Sequence, residues 1–274
     1  MPFDREQMKV KAAELAARGV YVGTSSWKYE GWLNQLYAPG RYEYRCKVAT
    51  KRFERDCLSE YSEVFKTVCV DAAYYTFPRA EYLQGLADQV PDDFRFGFKV
   101  TDLVTIKKFP NHARHGAKAG QTNQDFLNAD LFASAFLKPC EEIRPKIGVL
   151  MFEFSRFWPS DYEHGRDFVA DLDKFLSQLP KGWPYAIEMR NKGWLREEYF
   201  ACLAQRVGDL LKMLVREHRV TVALIEHNFS FVTEDASHAY VLRAGVVHDQ
   251  GSTDEVLSKD ENREILIGLR ARNY

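Results

Sequence analysis

Charged side chains recur at a spacing of two on short apolar runs. Tyr185–Arg190 carries Glu188 and Arg190 on one parity and Ile187 and Met189 on the other. Residues two apart share a face of a β-strand. An acid and a guanidinium therefore stand side by side there, and the apolar pair turns towards covering helices. The same count puts Glu153 with Met151, Lys99 with Gly97, Asp71 with Cys69 and Tyr75, and Glu226 with Leu224. Carboxylates so placed can move protons, and a guanidinium can grip the paired oxygens of a phosphate or carboxylate. Glu188, Lys99 and Asp71 are the candidate catalytic residues, with Glu188 the best-placed base. Arg190, Glu153 and Glu226 are candidates for holding a substrate. Alternatively, Asp71, Glu153, Glu188 and Glu226 offer four oxygen donors to a divalent metal such as magnesium or manganese. Carboxylates scattered over separate strands give no spacing test, and two neighbouring cations count against a metal, so the cofactor stays unknown. A third alternative makes Glu188–Arg190 and Lys99–Glu153 structural ion pairs that cap a packed core.

Two further groups sit near these runs. Trp27, Tyr75 and Trp194 lie at or just after strand ends, where they serve either as core aromatics or as stacking walls for a flat ligand. Residues 103–124 contain Lys107, Lys108, Arg114 and Lys118 with His112 and His115, and no acid. Lys107, Lys108 and Arg114 are candidate anion contacts. Unopposed like charge predicts that residues 105–120 are mobile without ligand and order over the mouth when an anion binds. His112 and His115 lack the Glu of an H-E-x-x-H helix, and Cys69, on a buried strand, reads as an inert thiol.

The elements that must position these groups alternate along the chain. Apolar runs at Val20–Gly23, Thr67–Tyr75, Arg95–Val100, Ile147–Phe154, Tyr185–Arg190, Thr221–His227 and Ala239–Ala244 read as strands. Helical patterns fill the intervals near 48–66, 79–89, 128–143, 163–179, 195–218 and 254–271. Such alternation predicts parallel strands with helical crossovers. Gly23-Thr24-Ser25-Ser26-Trp27 after the first run matches no phosphate-binding glycine turn. The 274 residues suit a TIM-like (β/α) barrel, which takes about 250. We expect one domain over 1–274, with an aromatic-rich insertion at 24–47 folded over one end of the barrel and the basic loop at 103–124 at its C-terminal face. With 38 Lys and Arg against 39 Asp and Glu, bulk charge excludes a protein that coats nucleic acid. A small anionic ligand is the expected partner, and nucleic acid on the basic loop is the less favoured one. No apolar run approaches the roughly 20 residues of a membrane helix. Five widely spaced cysteines without C-x-x-C fit a reduced, cytoplasmic setting.

Five blocks carry a resemblance. They are Gly23-Thr24-Ser25-Ser26-Trp27-Lys28-Tyr29 with Gly31-Trp32 and Leu36–Gly40; Thr67–Tyr75; Pro91–Val100; Ile147–Phe154; and Ala186–Arg190 with Trp194. In order and spacing they resemble the domain-of-unknown-function family 72, the YecE-like proteins. The resemblance implies a TIM-like barrel of undetermined biochemical function. Departures from the family pattern are Cys69 for Glu, Asp71 for Asn, Glu153 for Gln, Ser155 for Pro, and Leu242-Arg243-Ala244-Gly245 for R-x-H-G. The chain also stops before the family's usual last strand and helix. The barrel is therefore expected to be incomplete at its C-terminal strand, its open edge covered by a helix around Asp254–Arg270 or by a second chain. Three functional readings follow: a hydrolase or isomerase acting on a small anionic, phosphorylated or sugar-like substrate; an anion- or nucleic-acid-binding protein without catalysis; and a degenerate non-catalytic paralogue.

Overall fold

The computed structural model of the chain describes residues 3–45, 47–196, 198–203, 238–243 and 246–266. The chain divides into two compact units between Lys192 and Gly193.

The first unit is built on five parallel strands, β1 (Gly23–Thr24), β2 (Thr67–Val70), β3 (Arg95–Lys99), β4 (Ile147–Phe154) and β5 (Tyr185–Met189). They lie side by side in chain order. Among the described residues the sheet is open, with β1 and β5 each bonded to one neighbour. Helix α1 (Arg5–Ala17) precedes the sheet; α2 (Thr50–Val64), α3 (Ala80–Ala87) and α4 (Gly165–Gln178) make the crossovers into β2, β3 and β5. β1 approaches β2 so closely that a Cβ on Gly23 would lie 1.9 Å from the Thr67 carbonyl oxygen, so only glycine fits there.

Period two sorts the strands into two faces. Val68, Val70, Phe96, Phe98, Leu150, Phe152 and Phe154 are buried on one. Full burial of each such Phe contributes about 2–3 kcal/mol. The helices bring matching stripes: Phe53, Cys57, Glu60, Tyr61 and Val64 on α2, and Phe168, Leu172 and Phe175 on α4. α4 starts at a reciprocal cap, with the Asp167 carboxylate accepting the His164 N–H at 3.2 Å. Residues 129–146, between β3 and β4, wind through α, π and 3-10 turns. Pro139 has no N–H for the usual bond and its ring crowds the preceding turn, which accounts for the widening over Phe132–Leu137.

The aromatic segment 24–47 packs as a layer of its own. Phe53 meets Tyr37 and Tyr42 edge-to-face, each at 5.1 Å. Tyr37 donates to the Trp27 carbonyl. Buried Glu60 accepts from the Tyr42 hydroxyl at 2.9 Å and the Ala38 N–H at 3.0 Å.

Three strand expectations are corrected. The run Val20–Gly23 is strand only at Gly23, where β1 begins, and Val20, Tyr21 and Val22 are exposed. The run Thr67–Tyr75 is a strand only to Val70; Ala72–Tyr75 forms a helical turn, started by the Tyr74 N–H donating to the Asp71 carbonyl at 3.0 Å. In the second unit, β6 (His238–Arg243) pairs antiparallel with β7 (Val246–Ser252) instead of joining a parallel sheet. A parallel return needs a crossover of a dozen or more residues, and only two residues separate these strands. Helices α5 (Thr253–Ser258) and α6 (Asp260–Leu266) follow, with Val241, Val256 and Leu257 forming a small core. Among the described residues, no helix is long and apolar enough to cross a membrane.

Candidate functional site

The second face of the sheet carries the charges. Cα pairing aligns Cys69 with Gly97, Gly97 with Val149, Lys99 with Met151, and Glu153 with Glu188. Paired positions present their side chains to the same side. Cys69, Lys99, Glu153 and Glu188 therefore share the face opposite the phenylalanines, and they rise towards the C-terminal ends of the strands. Asp71 joins them from the turn after β2, and Arg190 from the residue after β5.

These side chains form one chain of alternating charge. Lys99 Nζ lies 3.2 Å from Asp71 Oδ1 and 3.1 Å from Glu153 Oε2. Arg190 Nη2 lies 2.6 Å from Glu153 Oε1, and Arg190 Nε donates to Glu188 Oε1 at 3.0 Å. Glu153 is the pivot: its side chain is 8% exposed, against 40% for Glu188 and 42% for Asp71. Its buried Oε2 has the Lys99 ammonium, at 3.1 Å, as its ion-pair partner. Burial alone would lower the Lys99 pKa, but Glu153 and Asp71 outweigh it and hold the ammonium above its usual range. The bond to Glu188, opposed by burial and reinforced by the charge of Glu153, raises the Arg190 guanidinium further. Burial first, and then Asp71, push the Cys69 thiol up to about 11, so that sulfur is a poor nucleophile at neutral pH.

The wall beside this chain comes from the helical turn and the basic loop. Tyr75 is 60% exposed and meets Tyr74 edge-on at 5.3 Å. The Arg114 guanidinium lies 5.1 Å from the Tyr75 ring centre and 5.7 Å from that of Tyr74. Its partner is Asp102, a buried carboxylate at 2.9 Å. Burial raises the Asp102 pKa, and Arg114 draws it partly back.

The basic loop is stitched to itself. Phe109 N–H donates to Gln121 O at 3.0 Å and Asn123 N–H to Lys107 O at 2.9 Å. Asn123 Nδ2 also donates to Leu103 O and Ile106 O, each at 2.7 Å. The repulsion expected among its cations is met in two ways. Asp102, one residue outside the acid-free stretch, pairs with Arg114. The Lys107 ammonium lies 3.2 Å from the centre of the Tyr162 ring.

Residues 21–241 match the family model described as "Protein of unknown function DUF72". The chain belongs to that family. Curated relatives of this DUF72 chain include the UPF0759 protein YecE of Escherichia coli, strains K12 and O157:H7. Each is 24% identical over 173 residues, which is 63% of this chain and 48% of the relative. The DUF72 chain thus spans about half the length of the curated relatives it matches. Among solved structures, a DUF72 family protein of Thermotoga maritima MSB8 is similar at 23% identity and a TM-score of 0.44, over 68% of this chain and 62% of that one. Another, from Enterococcus faecalis V583, has 24% identity and a TM-score of 0.41, over 56% and 50%.

In this DUF72 chain, Lys99, Glu153, Glu188 and Arg190 come together as the strand parity predicts, and Asp71 joins them from the turn after β2. Tyr75 and Arg114 stand together beside Tyr74. Trp27 is buried in the aromatic layer of 24–47, Lys107 is turned against Tyr162, and Lys108 is exposed. Trp194 falls in the second unit, and Glu226 lies outside the described residues. Among the described residues, no three His, Cys, Asp or Glu side chains are arranged to hold a metal ion; between the carboxylates stand Lys99 and Arg190. Sequence reasoning missed Asp102 and Tyr74. Thr101-Asp102, with Thr101 capping the turn Asp102–Thr105, is a readable helix-start signal. Nothing local announces the role of Tyr74.

Proposed function

We propose that the DUF72 chain is an enzyme of the hydrolase or isomerase type. Its substrate is a small anionic, phosphorylated or sugar-like molecule bound where β2–β5 end. The observation that carries this reading is the run Asp71–Lys99–Glu153–Arg190–Glu188, five alternating charges on or just after four adjacent strands, gathered towards their C-terminal ends. Parallel α/β sheets bind ligands outside those ends. Lys99 and Arg190 supply the anion contact, and the half-exposed Arg190 keeps part of its donor fork towards solvent. Glu188, carboxylate-bonded to Arg190 and open to water, takes the proton-transfer role. Exposed Tyr75 offers a flat wall for a sugar ring. We also propose that the five strands are part of a TIM-like barrel, whose unpaired β1 edge meets a further strand or a second chain.

Binding without catalysis is the alternative. Nucleic acid is the less favoured ligand, because two of the basic loop's cations are already engaged by Asp102 and Tyr162. The test is thermal unfolding of the full chain against a panel of sugar phosphates and inorganic phosphate. The reading expects at least one compound to raise the melting temperature of the wild type and not of Arg190→Gln. A panel that moves both proteins equally, or neither, overturns it.

A further inference from the structure

A cleft of about 660 Å³, apart from the strand-end charges, opens between the basic loop at 105–111 and 119–121 and the segment after β4, residues 155–161. It contains none of the five charges of the strand-end chain. Both of its walls are held by hydrogen bonds. On one side, the Asn191 side-chain amide clamps the backbone of Phe157, accepting its N–H and donating to its carbonyl, each at 2.9 Å. Asp161 Oδ2 accepts the Trp158 N–H at 2.8 Å and closes the next turn. On the other side stands the stitched base of the loop.

The chemistry of the lining is specific. Trp158 has a fixed backbone and is 58% exposed. The Arg156 guanidinium lies 4.9 Å from the centre of the Trp158 ring. Lys108 also lines the cleft, and among the described residues neither Lys108 nor Arg156 has an ion-pair partner. The one carboxylate of the lining, Asp161, is occupied by the turn it caps. Thr105 contributes a buried hydroxyl that has no hydrogen-bond partner.

We infer that this cleft binds a planar aromatic anion of mononucleotide size. The ring stacks on Trp158, and the phosphate is held by Lys108 and Arg156. An exposed indole beside a guanidinium recognises a flat π-system, unpaired cations recognise a phosphate, and the volume is that of a pocket for one small ligand. The proposal rests on residues separate from the strand-end reading, so either can fail without the other.

The test is isothermal titration of the full chain with AMP, GMP, CMP and UMP, with adenosine and inorganic phosphate as controls. At least one nucleotide is expected to bind, and each control about tenfold or more weaker. Trp158→Ala, at an exposed position the fold does not depend on, should weaken binding about tenfold. The pair Lys108→Ala and Arg156→Ala should weaken it similarly and reduce its salt dependence. Absence of binding by all four nucleotides at about 1 mM, the upper end of ordinary metabolite affinities, overturns the proposal. So does binding that the Trp158 and charge variants leave unchanged.

Discussion

Glu153→Gln removes the one charge that both cations of the strand-end chain share. Removing one partner of a fully buried pair costs about 3–5 kcal/mol, because the other charge is left unpaired. Here the loss is smaller, since Lys99 keeps Asp71 at 3.2 Å and Arg190 keeps Glu188 at 3.0 Å. Arg190 is also 50% exposed, and pairs that open to water are worth only about 0–1 kcal/mol. The Lys99 side, 25% exposed, carries most of the cost, and the expected loss is about 2–3 kcal/mol. Glu188→Gln breaks one contact between two half-exposed groups and should cost about 0.5 kcal/mol. Urea unfolding of both variants, followed by tryptophan fluorescence, measures the difference. A double-mutant cycle isolates the pair: Glu153→Gln with Lys99→Met should cost about 1–2 kcal/mol less than the sum of the single changes. If Glu153→Gln is no more destabilising than Glu188→Gln, or if the cycle is additive, Glu153 is not the buried pivot and the reasoning fails.

Three other outcomes follow from the same geometry. Burial raises the Asp102 pKa above its ordinary 3.8, so its contribution is greatest at low pH and declines as pH rises through the raised value; wild type should therefore lose stability relative to Asp102→Asn as pH climbs from about 4, read by denaturant unfolding across pH. Cys69, Cys57 and Cys140 have thiols pushed up by burial, to about 11, 12 and 12, so alkylation of the native protein at neutral pH, followed by peptide mass spectrometry, should leave all three unmodified. Glu60→Ala orphans the Tyr42 hydroxyl and the Ala38 N–H inside the aromatic layer and should cost about 2–4 kcal/mol, measured by urea unfolding.

Strand parity was the most legible feature of the site. It placed Lys99, Glu153, Glu188 and Arg190 on one face because period two is a property of the extended backbone itself, whatever the sheet around it. Asp71 reached the same cluster by a different route. It reads as a strand residue, yet it sits in a turn, since Ala72-Ala73 favours a helical turn that the apolar character of the run conceals. The hairpin of β6 and β7 reads as a parallel strand because alternation along one strand does not say which way its neighbour runs. Pairings between distant residues were the least legible. The aromatic face that receives Lys107 belongs to Tyr162, far along the chain, and Asp102 lies just outside the acid-free stretch it neutralises. Whether the 103–124 loop repels itself therefore depends on partners that counting its charges does not include.

The central claim is that the strand-end charges serve a ligand and are not merely a cap on the sheet. Thermal unfolding of wild type and Glu188→Gln, each with and without the sugar phosphate that most stabilises the wild type, tests it most directly. A ligand at about 100 times its Kd adds roughly 2.7 kcal/mol, a shift of about 5–10 °C for a unit of this size. The account predicts that Glu188→Gln melts within about 2 °C of the wild type without ligand and loses most of the shift with it. A variant that melts far lower yet responds to the ligand as the wild type does would contradict it, and would leave Glu188 a structural partner of Arg190.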